Sequence, residues 1–269
     1  MLAFPNCKIN LGLNIIAKRP DGYHDIETVF YPLPLQDALE IISSDKLEFS
    51  SSGGSIPGDP EENLCVKAWR LLKNDFPLLP PASIHLHKVI PTGAGLGGGS
   101  SDAAHTLILL NEKFSLGINP EQLARYALQL GSDCAFFIYT RPCFATGRGE
   151  ELETLRLDLG AYSFLLVAPP VHVDTRWAYS LIEPRLPALP LKEILRLPVE
   201  EWKGRMKNDF EEGVFENYPM IKAVKEQLYI KGALYAAMSG SGSAVFGIFP
   251  KNKIAGIVFE TGYQVFSIN

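Results

Sequence analysis

The chain has 269 residues, 25 Lys+Arg against 30 Asp+Glu for a net charge of −5, and 46% hydrophobic residues. That composition suits a globular chain with a sizeable core, in one large domain or two, and excludes disordered and collagen-like chains. No apolar run approaches a membrane span, and net negative charge argues against a nucleic-acid-binding surface over the whole molecule.

The N-terminus lacks a basic segment followed by an apolar core, so no secretion signal is expected. Cys7, Cys65, Cys134 and Cys143 are irregularly spaced with no C-x-x-C pair. A reduced, cytoplasmic chain is the expectation. From Cys7 to Ile15, apolar Ile9, Leu11, Leu13 and Ile15 alternate with Lys8, Asn10, Gly12 and Asn14. This predicts a strand with one face in a core and Lys8 and Asn10 together on the other. Arg19-Pro20-Asp21-Gly22 reads as a turn, and strands follow over 25–33 and 38–42. The Ser/Gly-rich stretch 50–59 reads as a surface loop.

Apolar spacing predicts a helix over 63–74, and alternation predicts a strand over 83–90. A glycine-rich segment then leads into an apolar helix over 101–114. Asn119-Pro120-Glu121 is a helix start, with cap, proline and first-turn acid, for a helix running to Leu130. A buried-type strand over 162–168 stops at Pro169-Pro170. Beyond it the pattern predicts helices over 174–182 and 218–229 and strands over 233–238, 244–249 and 263–267. There is no internal repeat. The expected class is α+β, in two packed halves that meet near 153–160.

Pro91, Thr92, Gly93, Ala94, Gly95, Leu96, Gly97, Gly98, Gly99, Ser100 and Ser101 form the most informative stretch. Glycines so placed between a strand and a helix let backbone N–H groups turn inward, and the helix end adds unpaired N–H groups and a positive dipole. That is a phosphate cradle needing no lysine. A dinucleotide fingerprint is disfavoured, because no acidic residue ends a second strand some twenty positions on. A Walker loop fails for lack of Gly-Lys-Ser/Thr. A second Gly/Ser cluster, Ser239 to Ser243, reads as a connection between late strands that could close over substrate or phosphates.

The Pro91–Ser101 stretch resembles the P-x-G-x-G-L-G-G-G-S-S loop of the GHMP small-molecule kinases. Lys8 to Leu13, Arg19-Pro20-Asp21-Gly22-Tyr23-His24 and Glu27-Thr28-Val29-Phe30 resemble one branch, whose acceptor is a cytidine-diphosphate-linked methylerythritol of the non-mevalonate isoprenoid pathway. Gly131-Ser132-Asp133, Asn208-Asp209-Phe210-Glu211 and the Ser239 cluster follow in that branch's order. The resemblance runs from about Lys8 to Phe249. Cys134-Ala135-Phe136 departs from its usual Val-Pro-Phe, and nothing between Glu183 and Trp202 carries a role.

The resemblance implies two α+β domains, a ribosomal-protein-S5-like one over 1–155 and a ferredoxin-like one over 156–269, with the active site in the cleft between them. It implies ATP, carried in with Mg²⁺, as phosphoryl donor, and small molecules as the partners, with neither nucleic acid nor membrane. Asp133 matches the base that accepts the acceptor's hydroxyl proton, and Lys8 the charge stabiliser beside it. Read without the resemblance, Asp133 is a helix cap and Lys8 a half-exposed strand lysine. Asn10 would orient substrate or base. Tyr23 and His24 would meet the cytosine, by packing and hydrogen bonding. Thr175 and Tyr179, four apart on a short helix, would complete that pocket, with Trp177 the competing aromatic.

Asn63 and Lys88 match adenosine contacts, while ordinary cap and surface roles are open to both. Ser100 or Ser101 could touch the metal, though no acidic ligand pair is visible. His85-x-His87 puts two imidazoles on one strand face with no third ligand nearby, which favours a solvated face over a metal site. No Gly-x-Ser-x-Gly elbow supports a hydrolase. Two other readings stay in play: a GHMP kinase with another acceptor, mevalonate- or homoserine-type, and a nucleotide-binding regulatory module without catalysis.

Overall fold

The alternating segment around Cys7 forms a 13-residue strand, Asn6–Lys18, in the computed structural model, which describes residues 1–269. Both of its faces are covered from Asn6 to Ile15. The half-exposed lysine read from alternation is corrected accordingly, since Lys8 and Asn10 are as buried as the apolar residues between them. Alternation reports which residues share a face, not what later segments lay over it.

In chain order the strands and helices are β1 (Leu2–Ala3), β2 (Asn6–Lys18), β3 (His24–Gln36), β4 (Ala38–Ser43), β5 (Glu48–Gly53), α1 (Leu64–Asp75), β6 (Ala82–Lys88), α2 (Gly98–Lys113), α3 (Pro120–Leu130) and α4 (Cys134–Tyr139). Then come β7 (Cys143–Thr146), β8 (Glu151–Thr154), β9 (Tyr162–Ala168), α5 (Thr175–Ser180), α6 (Leu191–Ile194), α7 (Phe210–Asn217), α8 (Pro219–Ile230), β10 (Tyr235–Met238), β11 (Val245–Pro250) and β12 (Gln264–Ile268). Mixed helix and sheet of this kind is the α+β class read from the sequence.

The chain forms two compact units. The first comprises 1–8, 32–92 and 97–141, and the second 9–31, 93–96 and 142–269. The units interleave, so a single cut at 155/156 does not separate them. β2 and β3 each contribute to both, and the early segment 9–31 belongs with the late one.

In the first unit the sheet order is β1-β4-β6-β5, with β4 antiparallel and β5 parallel to β6. β5 occupies part of the stretch read as a loop. Ser50 and Ser52 stand opposite His85 and His87 on an exposed edge, where serine hydroxyls bond both imidazoles. That contact settles the His85-x-His87 pair as a hydrogen-bonded strand face. α1, α2 and α3 pack Trp69, Leu72, Leu107, Leu110 and Leu123 against Leu39, Ile41 and Ile84 of the sheet. Each such side chain stabilises the unit by about 1.5–3 kcal/mol. The capping box at Asn119 and Gln122 starts α3 where the sequence placed it.

In the second unit an antiparallel sheet runs β10-β11-β9-β12. Leu165 and Val167 of β9 face Ile221, Val224 and Leu228 of α8 and Phe210 and Val214 of α7. The Glu183–Trp202 region, silent in the sequence, contributes packing. Leu191, Ile194, Val199 and Trp202 are buried, and the Trp202 indole donates to the Leu197 carbonyl. α4, α7 and the β7–β8 pair were not foreseen, because segments this short carry too little periodicity. None of the four cysteines forms a disulfide, and all are buried. No helix is long and apolar enough to cross a membrane.

Candidate active site

In the first unit, Lys8 on β2 and Asp133 just before α4 come together. Lys8 Nζ lies 3.4 Å from Asp133 Oδ2, with the lysine side chain 4% and the aspartate side chain 34% exposed. Asp133 occupies the cap position of α4 but makes no side-chain cap bond. Its carboxylate therefore serves the lysine and the solvent-facing side, not the helix. An enclosed ammonium beside a partly open carboxylate is an arrangement that can take up a hydroxyl proton and offset nearby negative charge.

The glycine loop completes this group. Gly97 is the left-handed cap of α2, at φ +70°. A Cβ there would come within 2.9 Å of the Phe137 ring and 3.1 Å of Lys8 Cγ and Cε. Only glycine lets the start of α2 lie on the Lys8 side chain. α2 begins at Gly98, three residues before the point read from the sequence, so Gly98 and Gly99 present helix N–H groups instead of forming loop. Ser100 hydrogen-bonds the Cys134 thiol, whose pKa burial pushes up to about 12. Ser101 is fully buried, with its hydroxyl 3.4 Å from His105 Nδ1. That leaves Ser100 the better placed of the two for any cation. Pro91 leads into the loop, and Thr92 Oγ1 donates to the Ser55 carbonyl.

Lys88 and Asn63 both have partners within the first unit. The Lys88 ammonium is enclosed between Asp37 Oδ2, at 2.5 Å, and Asp102 Oδ2, at 2.7 Å, and the residue is only 4% exposed. The two carboxylates compensate the ammonium's lost hydration. Asp37 Oδ1 also accepts from the amides of Val89 and Ile90, tying the end of β6 down. Burial and the facing Asp37 carboxylate push the Asp102 pKa up to about 7, and its Oδ1 has no hydrogen-bond partner. The Asn63 side chain caps α1 by accepting from the Cys65 amide, a bond worth about 1 kcal/mol. Nothing local to Asp37 advertised this cluster.

In the second unit, Asn10 lies two residues along β2 from Lys8, on the same face by strand alternation. Its Nδ2 donates to Thr28 Oγ1 at 2.9 Å, and Thr28 in turn donates to the Gly12 carbonyl. The Ser239 hydroxyl accepts from the Asn10 amide at 3.3 Å and donates to the Gly95 carbonyl at 2.9 Å. A Cβ on Gly95 would overlap the Ser239 carbonyl. The Ala244 amide donates to Ala94 O. The second Gly/Ser cluster thus backs onto residues 93–96 of the first, and Gly93 stands against His172.

His24 and Tyr179 stack in the same unit, with centroids 4.9 Å apart and planes 17° from parallel. Phe210 closes the far side of Tyr179 edge-on. Tyr23, largely exposed, lies under the Arg148 guanidinium at 4.7 Å. Trp177 instead meets Tyr218 edge-on. Burial and the Lys18 charge depress the His24 pKa, so the neutral ring is favoured, with one donor and one acceptor. Thr175 Oγ1 lies 3.0 Å from Ser241 Oγ. Residues that sequence reading left without a role, and that the structure draws in, are Thr28 and Asn208.

No three His, Cys, Asp or Glu side chains are grouped to hold a metal ion. A surface cavity of about 430 Å³ bordered by Asp75, Arg125 and Tyr126 in the first unit contains none of the residues above.

Comparison with known proteins gives two family matches, GHMP kinases N terminal domain over residues 63–141 and GHMP kinases C terminal over 191–263. A Bacteroides fragilis protein named 4-diphosphocytidyl-2-C-methyl-D-erythritol kinase is 56% identical over 98% of this chain and 97% of its own. A solved structure of 4-(cytidine 5'-diphospho)-2C-methyl-D-erythritol kinase superposes with a TM-score of 0.82 at 30% identity, over 100% of this chain and 98% of that one. A homoserine kinase from Cytophaga hutchinsonii shares the fold, with a TM-score of 0.70 at 18% identity over 98% of this chain and 95% of its own.

Proposed function

The chain belongs to the 4-diphosphocytidyl-2-C-methyl-D-erythritol kinase family of GHMP kinases, and we propose on that premise that it transfers the γ-phosphoryl group of ATP to the 2-hydroxyl of 4-diphosphocytidyl-2-C-methyl-D-erythritol. The observation that carries the mechanism is the 3.4 Å approach of Lys8 Nζ to Asp133 Oδ2, with Gly97 laid on the same lysine.

Asp133 takes the proton of the 2-hydroxyl as its oxygen attacks the γ-phosphorus. The bond from phosphorus to the β,γ-bridging oxygen breaks, and ADP leaves with that electron pair. Lys8, 3.4 Å from Asp133 Oδ2, offsets negative charge on the transferred group. Phosphoryl transfer asks mainly for positioning and charge stabilisation, and these residues supply both. The Gly93–Ser101 stretch holds the ATP phosphates with backbone N–H groups and the start of α2. Mg²⁺ would come with the nucleotide, coordinated by its phosphate oxygens and water, with Ser100 the hydroxyl at hand.

Tyr23, His24, Thr175 and Tyr179 select the cytidylyl end. A neutral His24 offers a donor and an acceptor to a base edge, and stacking on Tyr179 holds its ring in one orientation. The four reduced thiols suit the cytoplasm, where ATP is abundant.

The test is ATP-dependent phosphorylation of the cytidine substrate by wild type and Asp133→Asn, with mevalonate and homoserine as control acceptors. Turnover of the cytidine substrate alone, reduced about 10²–10⁴-fold in the variant, is expected. Turnover of a control acceptor would reassign the substrate, and ATP binding without any turnover would leave a regulatory module.

A further inference from the structure

The segment Asn208-Asp209-Phe210-Glu211 anchors all four of its side chains within the second unit. Asn208 Nδ2 donates to the carbonyls of Met238 and Gly240, both at 2.8 Å, and its Oδ1 accepts from the Phe210 amide. Asp209 Oδ2 accepts from the Ile15 amide of β2. Phe210 buttresses Tyr179. Glu211 Oε1 accepts from the Met238 amide at 2.8 Å, and its Oε2 from Lys225 Nζ. Met238 is therefore held at both ends of its backbone, by Glu211 at the amide and by Asn208 at the carbonyl.

The residue so placed next is Ser239, whose hydroxyl joins the Asn10 amide to the Gly95 carbonyl. Asn208 is 3% exposed and its amide uses both N–H donors and its oxygen. Two inward-facing carbonyls of one tight turn need two donors from one neutral group, and a primary amide supplies them without burying a charge. A fully satisfied buried network of this kind specifies one geometry for the turn it grips.

We infer that Asn208 is a positioning residue for phosphoryl transfer, fixing the Met238–Gly240 turn so that the Ser239 hydroxyl holds the Gly95 segment of the phosphate loop in its ATP-binding form. The assignment rests on the kinase reading above. The Asn208 side chain touches neither ATP nor acceptor; it acts through Ser239.

The experiment compares Asn208→Asp, Ser239→Ala and the double variant with wild type, by steady-state kinetics and by ATP titration calorimetry without acceptor. Thermal unfolding monitors the fold. At pH 8 the Asn208→Asp carboxylate repels both carbonyls, and the expected result is a KM and Kd for ATP raised about tenfold and a kcat lowered about tenfold, with the acceptor KM within twofold. As pH falls towards 6, a buried carboxyl protonates and regains one donor, so the variant's ATP affinity recovers relative to wild type. The double variant should be no worse than the worse single one, because both changes release the same contact.

Wild-type ATP affinity in Asn208→Asp, or multiplicative losses in the double variant, would overturn the proposal. If Asn208→Asp does not fold, Ser239→Ala carries the test alone, and unchanged ATP affinity there overturns it. Calorimetry needs no acceptor, so a wild type that phosphorylates nothing would remove the kinase reading while the role of Asn208 in ATP binding is still decided.

Discussion

Gly97 lies against Lys8 so closely that a Cβ would reach within 3.1 Å of the lysine's Cγ and Cε. The loop proposed to hold phosphate therefore lies beside the aliphatic stem of the lysine proposed to stabilise the transferred group, and the same Cβ would come within 2.9 Å of the Phe137 ring. Gly97→Ala meets two obstacles, a left-handed backbone and a neighbour that cannot retreat. It should cost about 1–3 kcal/mol of stability and lower kcat about 10²-fold. Thermal unfolding and steady-state kinetics read both; wild-type kcat in a folded variant would separate the loop from the chemistry.

Lys8 and Asp133 should behave as one unit. Lys8→Met is expected to lower kcat about 10²–10³-fold, the usual loss on removing one charge-stabilising donor. The double variant with Asp133→Asn should fall little below the worse single one. Independent, multiplying losses would show that the 3.4 Å pair does not act jointly.

Tyr179→Ala should raise the KM for the cytidine substrate about tenfold and leave the KM for ATP unchanged, since it removes the ring stacked on His24. Trp177→Phe, facing Tyr218 instead, should leave both constants within about twofold. The depressed His24 pKa adds a pH signature. Acceptor KM should stay flat from neutral to alkaline pH and rise only once the pH falls below the ordinary histidine range, a rise that His24→Gln should abolish.

Asp102 links stability to pH. Its folded pKa of about 7 lies above the ordinary carboxyl value of 3.8, so the folded state binds a proton more tightly than the unfolded state does. Between about pH 4 and 7 this contribution to stability therefore falls as pH rises, and it is lost above 7. Lys88, Asp37 and the Cys65 thiol are the groups facing it. Asp102→Asn should remove the slope. Its stability relative to wild type should improve by on the order of 1–3 kcal/mol between pH 5 and pH 8. Denaturant unfolding at the two pH values checks this, and parallel pH dependences would refute it.

Much of the fold was legible because it is local. Alternation marked β2, β6 and β9, the Asn119 cap started α3, and the boundaries read there agree within a few residues. β5 was missed because its serines look like loop until the hydroxyl contacts to His85 and His87 are seen. The partners of Lys88 were hidden for a related reason. Its sequence neighbourhood fits an adenosine contact as well as an ion pair, and the deciding partner, Asp37, lies 51 residues away.

Residue order by itself determined the glycine loop, the helix it leads into and the family, because glycine spacing and short motifs are statements about neighbours along the chain. Only the tertiary structure decided that Lys8 reaches Asp133, that His24 rests on Tyr179, and that Asn208 grips the turn carrying Ser239. Those contacts join residues distant in sequence. Electrostatic and hydrogen-bond energies depend on separations of a few ångströms and on burial, and side-chain periodicity along one strand or helix encodes neither.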